Sequence, residues 1–560
     1  MGVINIVTKK GADIGGLFVE GGAGSFNTGR AAIAYGQKFG DLDVMFFGNF
    51  QTTNEGEVNV MRQTTAIPPD FAFPLDDEDP DNPTIYNPGG PPRFQRPGST
   101  DPRADFFVDF IGTLNWRGFS LFTKVAWERD YYQISSSTGA LLQDDQSFDK
   151  DPATIISLGY ATRFFDEAVG LQTRVYLWSQ EFQVDSVIFP SSPNSIPNPF
   201  ILRLAIDNQF RYGANLEIDA KLPLGNTLLA GIEYYRAEIS GARLAFFGPN
   251  TGNFIDGGEL VPDSESNVIS VYVNNELNLF ERIAVSGGVR FNYSDTYASA
   301  FLASANIVGQ LLDYDSVQSY LKLSYTQGFR PPSFEQRFST APFFLGNQNI
   351  GPERSEAFQV ELNAKLLRDK GPIRHLTIRA DFAHTELKDL IALRDSEDGQ
   401  SAQFNNLGTR VVDSVEAALD LRFKRGHQMW ATYSFNQVRD TTAQIDIRNN
   451  APHIINVGGL VRLNKHLAFN ARLSWVDAKQ IRDYLDPDTL QTRALTIDAY
   501  TLLSAGVVIS DAEQRYRLLI HAYNMLGYQY ETVDGDTVAA PYPYQQPNRV
   551  ALLSRFQATF

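Results

Sequence analysis

The chain has 560 residues, and 48 Lys and Arg against 65 Asp and Glu give a formal charge of −17. That balance excludes a nucleic-acid partner, because phosphate neutralisation needs a basic face, and the absence of Cys excludes disulfides and thiolate metal sites. Hydrophobic content is 43% and aromatic content 12%, with 40 Phe and 24 Tyr, which favours β structure. No apolar run approaches the roughly 18 residues of a membrane helix. A membrane β-barrel has the same bland composition, since lipid-facing residues alternate with polar ones.

Met1-Gly2 runs straight into Val3-Ile4-Asn5-Ile6-Val7, a strand-like segment without the basic start and apolar stretch of a secretory signal. The expectation is a cytosolic chain, a processed one, or part of a longer protein. Beyond it, short polar turns recur at Gly40-Asp41, Pro223 to Asn226, Arg368 to Gly371, Lys424 to His427, Asn464 to His466 and Asp511 to Glu513. Between them lie long connections at about 53–103, 184–206, 241–263, 329–352 and 525–548. The segments joining them alternate with period two. Ile283, Val285, Val289, Phe291 and Tyr293 share one face, and Ala284, Ser286, Arg290 and Asn292 the other. Leu321, Leu323 and Tyr325 repeat the pattern, as do Val415, Leu419 and Leu421, and Val550, Leu552, Phe556 and Phe560.

Tight turns at one end and long loops at the other predict an all-β, transmembrane antiparallel β-barrel. It has about 22 strands, with short periplasmic turns and long extracellular loops. Propellers repeat every 40–50 residues or so, and no such repeat occurs. The strands run to about a dozen residues, longer than those of a typical sandwich.

Enzymatic motifs are missing. The six His residues form no H-x-x-x-H or H-E-x-x-H pair. There is no P-loop and no nucleophile elbow, and Gly22-Ala23-Gly24 lacks the third glycine of a dinucleotide fingerprint, with Asn27 in its place. No enzyme and no cofactor are expected. Asp77, Asp79 and Asp81 form a D-x-D-x-D run that is either a Ca²⁺ chelator or a solvated acidic loop. Asn82 and Pro88 replace the Gly and Glu of an EF-hand. Aromatic pairs mark the predicted loops: Phe71 and Phe73, Tyr131-Tyr132, Phe246-Phe247 and Phe343-Phe344. They serve ligand capture, an interfacial girdle or loop self-packing. Arg330, Arg337, Phe343 and Phe344 combine aromatic surface with donors and are candidate ligand contacts, and so are Phe71 and Phe73. Arg330 has a second reading, in which it orders the loop base beside Pro331-Pro332.

Six segments carry a family resemblance. They are Gly2-Val3-Ile4-Asn5-Ile6-Val7-Thr8-Lys9-Lys10, Tyr325-Thr326-Gln327-Gly328-Phe329-Arg330-Pro331-Pro332-Ser333, and Asn347-Gln348-Asn349-Ile350-Gly351-Pro352-Glu353-Arg354-Ser355. Later come Asn405-Asn406-Leu407-Gly408 with Val415-Glu416, Tyr523-Asn524-Met525-Leu526-Gly527-Tyr528-Gln529-Tyr530, and Pro547-Asn548-Arg549 leading to Phe560. In this order they resemble the TonB-dependent outer-membrane receptors. Met1, Gly351, Gln359 and Ser414 depart from the family pattern.

The resemblance implies that residues 1–12 are the remnant of a plug-to-barrel junction and residues 13–560 the transmembrane barrel. It implies a multi-pass protein of the Gram-negative outer membrane that takes up a scarce ligand: a ferric siderophore, haem, cobalamin or oligosaccharide. The implied partners are the TonB–ExbB–ExbD complex acting through a plug, the barrel-assembly machinery, outer-membrane lipid and the ligand itself. Phe560 is the implied assembly signal. With no plug and no TonB box in the sequence, two other readings stay open: a plugless passive pore, and a surface-loop adhesin or scaffold.

Overall fold

The computed structural model describes residues 8–54, 59–60, 64–67, 93–95, 98–99, 104–131, 148–189, 200–247, 253–280, 282–341, 344–395, 402–447, 450–485, 492–533, 543–545 and 550–560. Twenty-two strands form the wall. They are β1 Gly16–Gly24, β2 Thr28–Phe39, β3 Leu42–Asn54, β4 Ala104–Trp116, β5 Phe119–Tyr131, β6 Ala153–Phe164, β7 Val169–Phe189, β8 Phe200–Leu222, β9 Asn226–Phe247, β10 Ser264–Leu279 and β11 Ile283–Ser294. The second half holds β12 Ala300–Tyr314, β13 Val317–Arg330, β14 Glu353–Leu366, β15 Ile373–Lys388, β16 Thr409–Phe423, β17 Gln428–Asp440, β18 His453–Arg462, β19 Leu467–Val476, β20 Tyr500–Ser510, β21 Tyr516–Tyr523 and β22 Ala551–Thr559.

Each strand pairs antiparallel with its chain neighbour, and β1 pairs with β22 from Phe18↔Thr559 to Gly24↔Leu553, so the sheet closes. Leu17 and Phe560 exchange both backbone hydrogen bonds at the seam, at 3.1 and 2.8 Å. Gly16 sits there with φ +152°, and a Cβ on it would meet the Phe560 carbonyl oxygen at 2.1 Å. Only glycine allows that approach.

The alternation read from the sequence sorts the two faces. Val289, Phe291 and Tyr293 are exposed on the outside, while Arg290 and Asn292 between them enter polar contacts within the wall. Near the short turns, Phe39, Trp116, Phe119 and Phe164 point outward. Trp116 stacks on Phe119, and Phe119 packs on Tyr160, as in an interfacial girdle. The apolar material that makes a core in a soluble protein therefore covers the outside of this wall.

The sequence reading underestimates several strands. The segments 184–206 and 241–263 were expected to be long connections. Instead β7, β8 and β9 run for 21, 23 and 22 residues, and Phe254–Val261 adds a strand against β9. Phe246 and Phe247 close β9 rather than sitting in a loop. A tilted strand needs only about 9–11 residues to cross the hydrocarbon, so these strands continue well past it. Charges on the outward face, such as Glu181 and the directly paired Asp185 and Arg203, blur the apolar alternation there.

Before β1, the single turn α1 Gly11–Ile14 lies on the lumen side of β2 and β3. Asp43 accepts hydrogen bonds from the Gly11 and Ala12 amides at 2.7 and 3.0 Å. A Cβ on Gly11 would meet the Val44 carbonyl oxygen at 2.1 Å, which fixes glycine at this contact.

The outward position of Val289 generates a test. Val289→Lys places a charge against lipid and should cost about 2–4 kcal/mol if the residue lies near the bilayer midplane. Arg290→Lys, on the lumen side, should cost far less. Unfolding from lipid vesicles in denaturant measures both, and equal losses contradict the assignment of faces.

Candidate functional site

The mouth opposite the short turns is where the chain departs from a plain barrel. Pro331-Pro332 stop β13, because proline offers no ladder donor. Ser333 then caps α2 Phe334–Phe338: its hydroxyl accepts from the Gln336 amide at 3.1 Å, and its own amide donates to the Gln336 side chain at 3.0 Å. This is a capping box with Gln in the third position.

Phe334 and Phe338 pack against a buried cluster of Ile239, Ala242, Leu260, Val261 and Ala341. Ile239 shares the lumen-side alternation of β9 with Glu233 and Tyr235, whereas Ile232 and Tyr234 are exposed outside. The segment after β13 therefore folds inward. Its reach is fixed by hydrogen bonds from Thr340 to the Leu260 carbonyl (3.0 Å, amide) and the Glu259 carbonyl (2.6 Å, hydroxyl). On its far side Phe344-Leu345 pair in parallel with Ala402-Gln403. Asn347 donates to the Phe404 carbonyl at 3.0 Å, and Asn406 holds both polar groups of the Gly351 backbone. Gly346 makes the fold possible, since a Cβ there would strike the Ser339 amide at 2.5 Å. The result is a strap joining three connections across the mouth.

The candidate residues have distinct places in it. Arg330 ends β13 and grips Glu353, the first residue of β14, at 2.6 and 2.7 Å. Glu353 is buried and also accepts from the Ile391 amide at 2.8 Å, so the pair anchors the base of the strap. Phe344 lies against the buried cluster and edge-on to Phe404 at 6.1 Å. Arg337 donates to the Gln348 carbonyl at 2.6 Å and lies over Phe338. Its Nε and Nη1 are buried with no hydrogen-bond partner among the described residues. Burial pushes the Arg337 pKa down and the Glu335 pKa up. Phe71, Phe73, Phe343, Asp77, Asp79 and Asp81 lie outside the described residues. Among the described residues no group of three His, Asp or Glu is placed to hold a metal ion.

Below the strap, β7–β11 carry a polar network that sequence reasoning missed. Tyr272 donates to Glu217 at 2.7 Å, and Arg290 donates to Glu233 at 2.8 Å and Asn292 at 2.9 Å. Ser270 also donates to Asn292, at 2.6 Å, and Arg211 lies over the Tyr235 ring at 3.7 Å. The polar members of each alternation were visible in the sequence. Their partners are not: Arg290 and Glu233 stand 57 residues apart and meet only through the register.

The family described as TonB dependent receptor-like, beta-barrel, matches residues 47–525. The chain belongs to that family. No curated protein sequence matches it. Among solved structures it is similar to the ferric enterobactin receptor PfeA of Pseudomonas aeruginosa, with a TM-score of 0.68 and 13% identity over 98% of this chain and 82% of that one. It is similar to the siderophore receptor PirA of Acinetobacter baumannii, with a TM-score of 0.67 and 13% identity over 100% and 81%. It is also similar to the copper transporter OprC, with a TM-score of 0.67 and 12% identity over 98% and 82%. At these identities the likeness is one of fold. As a TonB-dependent receptor barrel the chain resides in the outer membrane and crosses it with strands.

Glu335 gives the strap a pH dependence. A carboxyl whose pKa is raised by folding contributes stability present at low pH and lost as pH rises above its ordinary value. Amides of 334–340 should therefore exchange more slowly at pH 5 than at pH 7.5, after correction for intrinsic rates. Glu335→Gln should remove the difference and slow exchange at pH 7.5. Hydrogen exchange read by mass spectrometry decides it, and an unchanged pH profile in the variant counts against the assignment.

Proposed function

We propose that this TonB-dependent receptor barrel takes up a metal chelate of the siderophore class. The observation that carries the reading is Arg337, a cation held at the mouth with two buried nitrogens unpaired among the described residues. A buried unpaired donor is costly, and an anionic ligand oxygen removes the cost. The tyrosines and arginines of the lumen wall offer further stacking and donor groups along the path inward. PfeA, a ferric enterobactin receptor, PirA, a siderophore receptor, and OprC, a copper transporter, share this fold and support a metal or metal-chelate ligand.

In this reading residues 1–12 are the junction to a plug and residues 13–560 the barrel. The plug, outside residues 1–560, fills the lumen, completes the binding site and receives the pull of the TonB–ExbB–ExbD complex. The chain performs no covalent chemistry. Uptake rests on different ligand affinity in the resting and pulled states. A strap tied to three connections is a feature that a passive pore does not need, and it favours the receptor.

Ferric enterobactin and a panel of other ferric chelates, offered to the barrel with its plug, test the ligand class. One chelate should support TonB-dependent iron uptake. Arg337→Ala should weaken its binding roughly tenfold or more, the loss expected for a charge-assisted hydrogen bond. Uptake of no chelate, or full affinity in the variant, refutes the reading.

Phe560 is proposed as the signal read by the barrel-assembly machinery. It ends the closing strand, its side chain is exposed, and it touches Tyr516 edge-on at 6.1 Å. Deleting it should lower the yield of heat-modifiable barrel in the outer membrane while leaving β1–β21 intact in sequence. An undiminished yield argues that Phe560 serves only the girdle.

A further inference from the structure

The short turns hold a charge asymmetry that neither the strap nor the lumen network uses. Three neighbouring turns, β14–β15, β16–β17 and β18–β19, are basic on a chain of formal charge −17. Residues 365–375, 420–428 and 460–467 contain nine Lys and Arg against Asp369 and Asp420. The turns on either side are acidic. Asp313 and Asp315 lie at β12–β13, and Asp511 and Glu513 at β20–β21, where Glu513 pairs with Arg515 at 2.9 Å. The basic stretch is therefore an arc with two edges.

Local bonds join the three turns into one surface. Lys424 Nζ donates to the Asp369 carbonyl at 3.0 Å, and the Arg462 amide donates to His427 Nδ1 at 3.1 Å. Gly426, at φ +80°, leaves room for Arg462, whose Cδ would lie 2.9 Å from a Cβ there. A cavity of about 430 Å³ between the turns is lined by Arg374, Arg422, Lys424, Arg425, His427 and Arg462. Arg422 already holds Asp420, at 3.1 and 3.3 Å. Arg368, Lys370, Arg374, Arg425, Arg462 and Lys465 have no carboxylate partner among the described residues. Like charges gathered in this way repel one another, and an anion from outside removes the cost.

The geometry selects that anion. On this part of the wall the outward residues near the turns are Met429, Val461 and Leu463, all exposed and apolar. Arg422 and Arg462 lie on the opposite, lumenal parity, paired with Gln428 and Ala468. The cations thus face the periplasm and the lumen mouth rather than the lipid. The outer two turns are four strand spacings apart, about 20 Å, so a small anion reaches only one of them. A folded acidic protein needs roughly 800 Å² of its own surface and an apolar anchor, which three short turns do not offer. A flexible polymer with carboxylates at intervals reaches all three and gains by multivalency. Guanidinium forks match carboxylates bidentately.

We propose that this arc binds the carboxylate-bearing peptide stems of peptidoglycan, the polyanion that lies beneath the outer membrane. The site is separate from the uptake path and does not depend on the ligand class proposed above.

Cosedimentation of the full chain, in phosphatidylcholine nanodiscs, with purified peptidoglycan sacculi tests it. Wild type should pellet with the sacculi at low salt and be released at ~1 M salt, where the Debye length falls to about 3 Å. Sacculi whose carboxylates are capped as neutral amides should not capture it. Lys370→Glu, Arg425→Glu and Lys465→Glu together, one change per turn, should weaken capture roughly tenfold or more, the scale of lost avidity, with heat modifiability unchanged. If that variant fails to fold, the capped sacculi decide alone. Capture by capped sacculi, no capture by native sacculi, or full capture of the folded variant overturns the proposal. So does displacement by phosphatidylglycerol vesicles at matched charge, which assigns the arc to lipid, or loss of capture when a plug fills the barrel, which assigns it to plug docking.

Discussion

Closure of the hydrogen-bond ladder is the constraint on which the rest depends. In hydrocarbon an unpaired backbone amide or carbonyl costs several kcal/mol or so, so a sheet can span the membrane only without an edge. Here that condition is met at the β1–β22 seam, over seven paired positions and the Leu17–Phe560 exchange. Gly16 is tied to this seam by its contact with the Phe560 carbonyl. The register fixed at the seam propagates around the wall, and with it the face on which every side chain lies. A slip of one residue would turn Val289 and Phe291 into the lumen and Arg290 into lipid.

Once the wall is closed, its uneven height decides where function sits. β21 has 8 residues and β22 has 9, while β8 has 23. The surplus on β7–β9 rises above the membrane and gives two usable faces. The inner face supplies the apolar patch that receives Phe334 and Phe338, and the outer face holds a charged cavity above Trp127. The same strands thus present side chains both to the mouth of the lumen and to the outside above the hydrocarbon, because a strand past the hydrocarbon is free to be polar on both sides.

Much of this was legible in the sequence, and the limits have physical causes. The barrel, its strand number and its lipid face follow from period-two patterning, and β11 shows it most plainly. The long strands were misjudged because outside the membrane the outward face no longer has to be apolar, so Glu181, Arg203 and Arg243 interrupt the pattern without interrupting the strand. The two readings of Arg330 could not be separated by sequence, since Glu353 lies 23 residues away and meets it only when β13 and β14 pair. Arg337 stood out as a donor among aromatics. Its burial did not, because that depends on the turn at Gly346 bringing residues 346–348 back over it.

The strap combines strong anchors with an unsatisfied centre. At its base the Arg330–Glu353 pair and at its far end the Asn406–Gly351 bonds fix both termini of the segment. Between them, Glu335 and Arg337 are both pulled from water, and burial disfavours the charged form of each. They stand two apart on one helical turn and do not face each other, so neither compensates the other. Hydrophobic burial of Phe334 and Phe338 holds the helix down against that cost. A segment with firm ends and a poorly compensated middle opens locally more readily than the wall around it.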